Sequence, residues 1–579
     1  MPGIFGLTKK GGKGLNNLSQ LNIQTNEKVH QRLDFENDFF INALVNFDFQ
    51  KDYSAYRITE ELEVWLFGDP LIEGVAGNKA YEKAIKLIID VYPNFNGLVE
   101  LDGLFNVLIY DKIEKKIFIL NDRNGLAHIF YGFFDDQLIW GSELRAFISN
   151  KLNLTIGKEY IYDFLNLGYL INNDTWFDEI QLLPPASYIE WDLEKSELLR
   201  IEEYWSHKNL KKNSIQKNKK EIIDDLKDLF EQAVAKRVND EERVGITLSG
   251  GLDSRLIFAN IPVQKNRFTA ITRGMENAGD IKLAKKVVQR RIDCEHILKY
   301  MYSEDWIEGR EKAIKVTSGQ KDLFNMNAIS SLPIHKKYFD INLDGAGGDG
   351  IFTGGHLKYE NSKDLQKSFE DTYFRNKFKN NNSIKKFITY YNNVDSDQFF
   401  YIYERIRRFT IFGSILGHDY GIITRFPFLD NQLQDYFYQL DSNLDVNKLY
   451  YKMLIKYFPE YFIEIDSLDT GTRLYSSPNL NLIVKAKNRL FEKFGIKKYQ
   501  RKYHDYPRWL RDKNKEFVKQ YLLDENLYLY NFIPYSQIEN ITNQFLAEGN
   551  GSALVSRALS LSIFLEDYRV TINNEEIIV

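Results

Sequence analysis

Residues 243–254 read RVGITLSGGLDS, and this stretch decides the fold of the C-terminal part of the chain. Arg243 to Leu248 is a short apolar run typical of a buried strand, and it leads directly into the loop Ser249-Gly250-Gly251-Leu252-Asp253-Ser254. A strand, a glycine-containing loop and a following helix place backbone N–H groups, serine hydroxyls and a helix N-terminus around one small volume. The sequence therefore predicts a binding site for a polyanion at this loop.

The segments around this loop alternate between helical and strand-like patterns. Residues 221–238 carry apolar side chains at helical spacing, residues 268–272 and 341–345 resemble strands, and residues 280–290 resemble a helix. This alternation predicts an α/β domain with a parallel sheet, followed by a mostly helical remainder. An Asn- and Lys-rich stretch at residues 361–393 predicts a surface insertion.

The first 205 residues have a different pattern. The strand-like stretches LFNVLIYD (104–111), KIFILND (116–122) and QLIWGSE (137–143) indicate an antiparallel, strand-rich domain. Residues 206–220 have almost no apolar content, which is typical of a linker. We therefore predict one domain at residues 1–205, a linker at 206–220 and a second domain at 221–579.

The composition argues against several classes of protein. The chain has 579 residues, 44% of them hydrophobic, and a net charge of −5, which favours a globular protein over one that coats nucleic acid or a membrane surface. Its single cysteine, Cys294, excludes an intramolecular disulfide and multi-cysteine metal sites. No apolar run approaches the ~20 residues of a membrane helix, and the start MPGIFGLTKK does not resemble a secretory signal. We expect a soluble, cytoplasmic protein with no nucleic-acid or membrane partner.

The loop sequence also indicates which polyanion it binds. SGGLDS lacks the Gly-Lys-Ser/Thr ending of a P-loop, and it resembles instead the pyrophosphate loop of N-type ATP pyrophosphatases, which split ATP into AMP and pyrophosphate. Mg²⁺ with oxygen ligands must neutralise the departing pyrophosphate. Asp253 is one candidate ligand, and Asp349, in the glycine-rich loop after residues 341–345, is the second. ATP and Mg²⁺ are therefore the predicted cofactors.

Further motifs follow in a consistent order along nearly the whole chain. The N-terminal half contains MPGIFG, LDGLFNVLIYD, NDRNG, GSE and LLPPASYIEWD, and the C-terminal half contains SGGLDS, GAGGDGIFTGG, RFPFLD and LSLSIFLEDY. Together they resemble the asparagine synthetase superfamily, which includes beta-lactam synthetases and lasso-peptide macrocyclases. The resemblance implies an N-terminal Ntn-hydrolase-like α/β/β/α sandwich and a C-terminal doubly wound ATP pyrophosphatase domain with added helices. It also implies an AMP-forming ligase that adenylates a carboxylate and joins it to an amine.

Two departures from the family pattern change the predicted chemistry. Position 2 is Pro2, which has no nucleophilic side chain for glutamine hydrolysis, and Cys294 lies in the other domain. The glutamine-binding motifs are unrecognisable, with Gly68-Asp69-Pro70 as the nearest remnant of one of them. We therefore expect no glutamine hydrolysis, as in the relatives that close a ring with an amine of the substrate. Ala346 replaces the Glu or Tyr of relatives, so a general base must come from elsewhere.

The resemblance assigns further residues by position. The predicted ATP-binding set is Leu248, Ser249, Gly250, Gly251, Asp253, Ser254, Gly274, Gly347 and Gly348. Glu404 is the nearest match for the dyad Glu of beta-lactam synthetases, and its alternative interpretation is a helix-surface residue paired with Arg408. Lys448 matches the late lysine of the family, a cation that stabilises charge on phosphorus, and Lys452 lies one turn further on. Glu404 and Lys448 are the predicted catalytic residues.

Three further residues have two interpretations each. Arg255 and Arg273 either contact phosphate or substrate, or form salt bridges within the structure. Asp280 either belongs to the site or is a plain helix N-cap.

The function also has alternatives. They are amidation with free ammonia, a non-catalytic assembly partner that ATP merely stabilises, and a sulfur-transfer enzyme on tRNA, which would require a reactive cysteine. The expected partner is a small molecule or peptide that carries a carboxylate and an amine. Biosynthetic partner proteins and a homodimer remain open, and the sequence does not identify the substrate.

Overall fold

The structure is a computed structural model, and it describes residues 2–9, 15–73, 75, 77–239, 242–263, 267–351, 381–468, 472–474 and 503–573. Most of the predicted insertion at 361–393 lies outside these ranges, and its last part, from residue 381, is helical.

Two antiparallel sheets form the N-terminal domain. Their strands are β1 (Gly3–Thr8), β2 (His30–Glu36), β3 (Phe40–Phe47), β4 (Tyr56–Ile58), β5 (Leu62–Leu71), β6 (Asp102–Asp111), β7 (Lys116–Asn121), β8 (Phe130–Phe134), β9 (Gln137–Gly141), β10 (Ile180–Leu182), β11 (Ser187–Asp192) and β12 (Glu197–Glu203). One sheet has the order β10-β8-β9-β1-β3-β2 and the other has the order β12-β11-β7-β6-β5-β4. Strands β6, β7 and β9 confirm the three stretches predicted from the sequence.

The alternation of side chains along the strands explains the layers. In β3, Leu44 lies in the core between the sheets, whereas Val45 lies in a second core outside the first sheet. Helix α1 (Gly77–Val91) packs against β5, and Phe164 of helix α2 (Lys158–Leu167) belongs to the second core. The domain therefore has the predicted α/β/β/α arrangement.

A five-stranded parallel sheet organises the C-terminal domain. Its strands are β13 (Val244–Thr247), β14 (Phe268–Gly274), β15 (Cys294–Tyr300), β16 (Ile341–Leu343) and β17 (Ile423–Arg425). They pair in parallel in the order β15-β14-β13-β16-β17. The order reverses at β13, so the sheet is doubly wound, as predicted, with its switch point between β13 and β16.

Helices surround this sheet and complete the domain. They are α3 (Lys219–Lys236), α4 (Leu252–Asn260), α5 (Gly279–Val288), α6 (Arg310–Val316), α7 (Leu332–Tyr338), α8 (Gly348–Ile351), α9 (Asn381–Val394), α10 (Asp397–Phe400), a π-helix (Tyr401–Thr410), α11 (Phe412–His418), α12 (Asn431–Gln439), α13 (Val446–Tyr457), α14 (Pro459–Phe462), α15 (Tyr506–Lys513), α16 (Lys515–Leu522), α17 (Tyr535–Glu548) and α18 (Ser552–Asn573). None of the helices in the described ranges combines the length and the apolar character that a bilayer crossing requires.

The predicted linker at 206–220 packs against the C-terminal domain. It contains the short 3₁₀ turn His207–Asn209, and α3 begins inside it at Lys219. The ring of His207 is buried and stacks on Phe399, with the ring centroids 4.4 Å apart. This segment therefore follows the surface of the second domain.

Buried ion pairs connect the two domains. Arg425, at the end of β17, donates to Asp69 of β5 at 2.6 Å and to Glu242 at 2.6 Å. Arg237, after α3, donates to Asp102 of β6 and to Asp430, both at 2.9 Å. These ion pairs hold the N-terminal sandwich against the parallel sheet on the side of its edge strand, β17.

Candidate functional site

The loop predicted to bind a polyanion lies at the switch point of the parallel sheet. It runs from the end of β13 to the start of α4, and its two serines hold it in shape. Ser249 Oγ lies 2.9 Å from Ser254 Oγ, and it accepts a hydrogen bond from Gly251 N at 3.1 Å. The loop thus lies at the carboxyl end of β13, at the edge of the sheet where ligands of doubly wound folds bind.

Two side chains outside the loop fix its backbone. Asp280, in the first turn of α5, accepts a hydrogen bond from Gly250 N at 2.9 Å. Arg255 is fully buried and donates to Gly250 O at 2.9 Å and to Tyr461 O at 3.0 Å. Asp280 is therefore not a plain N-cap, since that position belongs to Ala278. Arg255 is bonded to backbone carbonyls, so it supports the loop structurally.

A second glycine-rich loop meets the first at Asp253. A Cβ placed on Gly348, the first residue of α8, would lie 2.6 Å from Asp253 Oδ2, and one placed on Gly345 would lie 3.2 Å from Asp253 Cβ. Gly347 has φ of +97°, and a Cβ there would lie 2.8 Å from Leu429 Cδ2. The second loop can pass this close to Asp253 only because these positions carry no side chain.

The chemistry of this junction fits a magnesium ion. Asp253 presents a carboxylate where two backbone loops converge, and Mg²⁺ binds to proteins through one or two carboxylates together with substrate phosphates. Asp349 lies in α8 beside Gly348, and its side chain lies outside the described residues. Among the described side chains, no group of three His, Cys, Asp or Glu residues is arranged to hold a metal. The shared Asp253–Asp349 site remains a prediction.

The remaining residues of the predicted ATP-binding set, Leu248 and Gly274, lie directly after β13 and at the end of β14. Leu248 is buried, and its N–H donates to Ile271 O at 3.0 Å, so it supports the loop through its backbone. Gly274 ends β14 with φ of +155°, and a Cβ there would lie 3.3 Å from Tyr503 Cβ. Met275 N donates to Tyr503 O at 2.8 Å. Ala278 and Tyr503 therefore both lie close to Gly274.

Helix α13 contacts the site through a residue other than the predicted lysine. Lys448 is exposed in the first turn, where its N–H donates to the capping residue Asp445 at 3.0 Å, and Lys452 is exposed as well. Tyr450 is buried, and its hydroxyl donates to Asp253 Oδ1 at 2.9 Å. Residues two apart on a helix point to different sides, so Lys448 does not share the face of Tyr450. The catalytic role of Lys448 remains a prediction.

Glu404 lies between the two domains on the π-helix. Its side chain is only 1% exposed, and Oε1 accepts a hydrogen bond from Asn172 N of the N-terminal domain at 2.9 Å. Burial raises the pKa of Glu404 to about 7, against the opposing effects of the Asn172 N–H, Arg408 and Arg407. The alternative interpretation as a helix-surface residue is wrong. No described hydrogen bond or ion pair connects Glu404 to the loop at Ser249, and its dyad role remains a prediction.

A cavity of about 240 Å³ lies at the carboxyl ends of β13, β14, β16 and β17. Thr247 and Asp344, which immediately precede the two glycine-rich loops, line it together with Arg273 and Lys321. Arg273 donates to Ser331 Oγ at 3.3 Å and forms no ion pair with any described carboxylate. No recognisable motif surrounds Lys321 in the sequence, so the sequence alone does not predict its place in this cavity. We call this space the Lys321 cavity.

A smaller cavity, of about 40 Å³, lies between the two domains at Pro2. Ser142 and Asn106 line it, and the Ser142 hydroxyl donates to Asn106 Oδ1 at 3.2 Å. Asp69, the remnant of a glutamine-binding motif, also lines it, and its carboxylate accepts from Arg425. This Pro2 cavity therefore has no thiol or hydroxyl at position 2.

Two models of known protein families match the chain. The asparagine synthase family model matches residues 225–407, and the glutamine amidotransferase domain model matches residues 89–205. The first match contains both glycine-rich loops, and the second covers much of the N-terminal sandwich. The chain belongs to the asparagine synthetase superfamily.

Several characterised members of the superfamily are similar to this chain. It is 23% identical to the glutamine-hydrolysing asparagine synthetase of Pongo abelii over 60% of this chain and 58% of that protein. It is 27% identical to glutamine-hydrolysing asparagine synthetase 2 of Bacillus subtilis over 32% of this chain and 26% of that protein. The matched part therefore spans less than two thirds of these relatives. Among solved structures, the allosteric regulatory enzyme of purine biosynthesis aligns at 11% identity with a TM-score of 0.22, over 52% of this chain and 74% of that chain.

Proposed function

We propose that this member of the asparagine synthetase superfamily is an ATP-dependent amide ligase. In the proposed reaction a substrate carboxylate attacks ATP, pyrophosphate leaves, and an amine then displaces AMP from the acyl-adenylate. The observation that carries the proposal is Asp253, whose carboxylate lies where both glycine-rich loops converge at the switch point. This arrangement suits pyrophosphate release better than simple nucleotide binding, because it places a candidate metal ligand beside the phosphate loop.

The residues of the loop have distinct roles in this reaction. The backbone of Gly250 and Gly251 and the hydroxyls of Ser249 and Ser254 surround the space for pyrophosphate. Asp280 and the buried Arg255 hold this backbone in place through their bonds to Gly250. The site is therefore ordered before charge develops on the leaving group, which is where preorganised dipoles are most effective.

Magnesium fits this site at Asp253, with Asp349 as the proposed second ligand. When bound, it supplies neutralisation of charge on the departing pyrophosphate. Tyr450 orients the Asp253 carboxylate by donating to Oδ1 at 2.9 Å.

The amine comes from solution or from the substrate rather than from glutamine. Pro2 has no side-chain nucleophile, and the Asp69 carboxylate is committed to Arg425. A substrate that carries both the carboxylate and the amine would close a lactam or macrolactam ring. Free ammonia would instead give a primary amide.

The structure also bears on the sulfur-transfer alternative. Cys294 is buried at the start of β15, and burial raises the pKa of its thiol to about 12. A thiol with so high a pKa is a poor nucleophile at neutral pH. The proposed ligase chemistry does not require a reactive cysteine.

Pyrophosphate release tests the adenylation step. The protein is incubated with ATP, Mg²⁺ and a panel of small carboxylates and amino-carboxylates, and pyrophosphate is measured. We expect Asp253→Asn to reduce release by about 100-fold or more, because Mg²⁺ loses a carboxylate ligand and the charge on the departing pyrophosphate is then poorly neutralised. Asp228→Asn changes an exposed aspartate of α3 and should leave the rate unchanged. Equal rates for the wild type and Asp253→Asn would refute the mechanism.

The nitrogen source is tested with the carboxylate that gives pyrophosphate release. Glutamine as the sole nitrogen donor should yield no amide and no glutamate, whereas ammonium or the substrate amine should yield product. Mass spectrometry separates the two products, because ring closure removes one water from the substrate, whereas amidation replaces the carboxyl hydroxyl by an amino group. Production of glutamate from glutamine would contradict the assignment of the Pro2 cavity.

A further inference from the structure

Lys321 is a buried lysine that forms no ion pair with a carboxylate among the described residues. Its side chain is 4% exposed, and Nζ donates to Phe409 O at 2.7 Å and lies 3.6 Å from the centroid of the Phe409 ring. No described carboxylate forms an ion pair with it. An ammonium group has three donors, and an unpaired buried charge is costly. The environment of Lys321 therefore favours the neutral amine.

Helix α18 holds the segment that carries Lys321. Ser556 Oγ donates to Asp322 Oδ1 at 2.8 Å, and Ser560 Oγ accepts from Leu323 N at 2.8 Å. Phe324 N donates to Ser556 Oγ at 2.9 Å. Three hydrogen bonds to one helix fix the backbone on the C-terminal side of Lys321, so its position is built into the fold.

The walls of the Lys321 cavity contain buried polar side-chain atoms that have no hydrogen-bond partner in the described structure. The residues His335, Ser414 and Asn327 line this cavity. Their side-chain atoms Nε2, Oγ and Oδ1, respectively, are buried and have no hydrogen-bond partner within the described structure. Buried polar atoms are normally satisfied, so a cluster of unsatisfied ones indicates a site for a polar molecule. Thr247 and Asp344 connect this space to both glycine-rich loops. An acyl group activated at the loops would therefore face Lys321.

We infer that Lys321 is the base that deprotonates the attacking amine, in place of the side chain that Ala346 lacks. The inference rests on the proposed ligase function. As the amine nitrogen forms its bond to the acyl carbon, the Nζ lone pair takes one proton from that nitrogen. The carbon–oxygen bond to AMP then breaks, and AMP leaves with the electron pair. The Lys321 ammonium returns its proton to solvent before the next turnover.

The electrostatic surroundings support a neutral Lys321. Burial lowers its pKa to about 7, while Asp322 raises the pKa and Arg405 of the π-helix lowers it. Across the cavity, burial and then Arg273 lower the pKa of His335 to about 3, so this histidine stays neutral. Asp344 is the carboxylate on that side, and it accepts from Ala346 N at 2.8 Å. A base with a pKa near the working pH is the most effective one.

Two nucleophiles test the role of Lys321 on the carboxylate that supports pyrophosphate release. Ammonia is strongly basic, so it is protonated at pH 7 and its nitrogen needs a base to remove a proton during attack. Hydroxylamine is weakly basic and unprotonated at pH 7, so after attack its nitrogen loses the proton to water, and it traps the acyl-adenylate as a hydroxamate. We expect Lys321→Met to reduce amide formation from ammonium by about 100-fold while hydroxamate formation changes less than about threefold. Lys312→Met, an exposed lysine of α6, should change neither rate.

Lys321→Arg separates proton transfer from charge recognition. An arginine carries a permanent positive charge and has no lone pair that accepts a proton, so this variant should lose amide formation as Lys321→Met does. Full amide formation by Lys321→Arg, or equal losses with ammonium and hydroxylamine in both variants, would overturn the role as a base. Hydroxamate formation reports that each variant is folded and adenylates. An absence of pyrophosphate release by the wild type with every carboxylate would instead overturn the ligase proposal itself.

Discussion

The Pro2 cavity and the Lys321 cavity lie on opposite sides of the same two elements, α11 and β17. Thr424 lines both of them, while Ile415 faces the first and Ser414 faces the second. The Pro2 cavity is small and mostly apolar, and its carboxylate, Asp69, is held by Arg425. The Lys321 cavity is about six times larger, 240 against 40 Å³, and has unsatisfied polar atoms in its walls. The Pro2 cavity is thus part of the domain interface, whereas the Lys321 cavity has the size and polarity of a ligand site.

The largest expected effect concerns protein stability and the ion pair between Asp69 and Arg425 beside the Pro2 cavity. Asp69→Ala leaves Arg425 buried with one carboxylate instead of two, and should lower the free energy of unfolding by about 3 kcal/mol. Urea denaturation measures this change. Glu36→Ala removes an exposed ion pair with Lys9 and should change stability by less than about 0.5 kcal/mol. Equal stability of both variants would show that Asp69 has no role in the interface.

The next prediction concerns the proposed ATP-binding site, where a single added methyl group should displace the Asp253 carboxylate. Gly348→Ala places a Cβ about where the Asp253 carboxylate lies, 2.6 Å from Oδ2, so that carboxylate must move. We expect pyrophosphate release to fall by about 100-fold. Gly413→Ala adds its methyl where no atom lies within 4 Å, and it serves as the control for protein stability in thermal melts. Unchanged pyrophosphate release by Gly348→Ala would show that the Asp253 position is not critical.

A third test uses the carboxyl group that lies between the domains. The pKa of Glu404 is raised to about 7 in the folded protein, above the ordinary value of 4.5. Between about pH 4.5 and 7 the carboxyl group is therefore protonated in the folded state and ionised in the unfolded state. Stability should therefore fall by about 2 kcal/mol as pH rises through this window and remain lower above it. Glu404→Gln should remove this contribution, so that urea denaturation at pH 5 and pH 8 shows a smaller difference in stability than for the wild type, in which Asp122 and Asp163 titrate as well.

The exposed Glu60 provides the control for that experiment, since Glu60→Gln should keep the wild-type pH dependence. The same Glu404→Gln protein also tests the dyad hypothesis. A loss of amide formation with intact pyrophosphate release would place Glu404 in the second half-reaction, whereas no change in either rate would leave it a purely structural residue.

The smallest expected effect concerns the orientation of Asp253. Tyr450→Phe removes one hydrogen bond, worth about 1 kcal/mol, and should slow pyrophosphate release about fivefold and raise the Mg²⁺ concentration required. Tyr451→Phe changes the more exposed neighbouring ring and should have no effect on either quantity. Identical magnesium titrations for the two variants would contradict an orienting role for Tyr450.

The sequence was sufficient for the features that depend on local pattern. The run from Arg243 to Ser254 contains its own strand, glycines and helix start, so the loop was predicted correctly in place and surroundings. The sandwich strands β6, β7 and β9 were equally visible, because their apolar runs end at polar turns. These features need no knowledge of distant residues.

The contacts between distant segments were not predictable in this way. Tyr450 reaches Asp253 from almost 200 residues away, and nothing in its helix distinguishes it from Lys448 except which side faces the loop. Lys321 becomes notable only through its burial under Phe409. Asp280 has the position of a helix cap in the sequence, and only the fold shows that it bonds to Gly250. Side-chain direction in three dimensions decides all three.

The attachment of the Lys321 segment to α18 has a consequence for biosynthesis. Ser556 and Ser560 come more than 230 residues after Leu323 and Phe324, which they bind. During translation the ribosome must therefore deliver residues 552–573 before the wall of the Lys321 cavity can close. Nascent chains that stop short of α18 should contain the loop at Ser249 but an incomplete Lys321 cavity. The site proposed for adenylation is therefore synthesised before the site proposed for amine attack is complete.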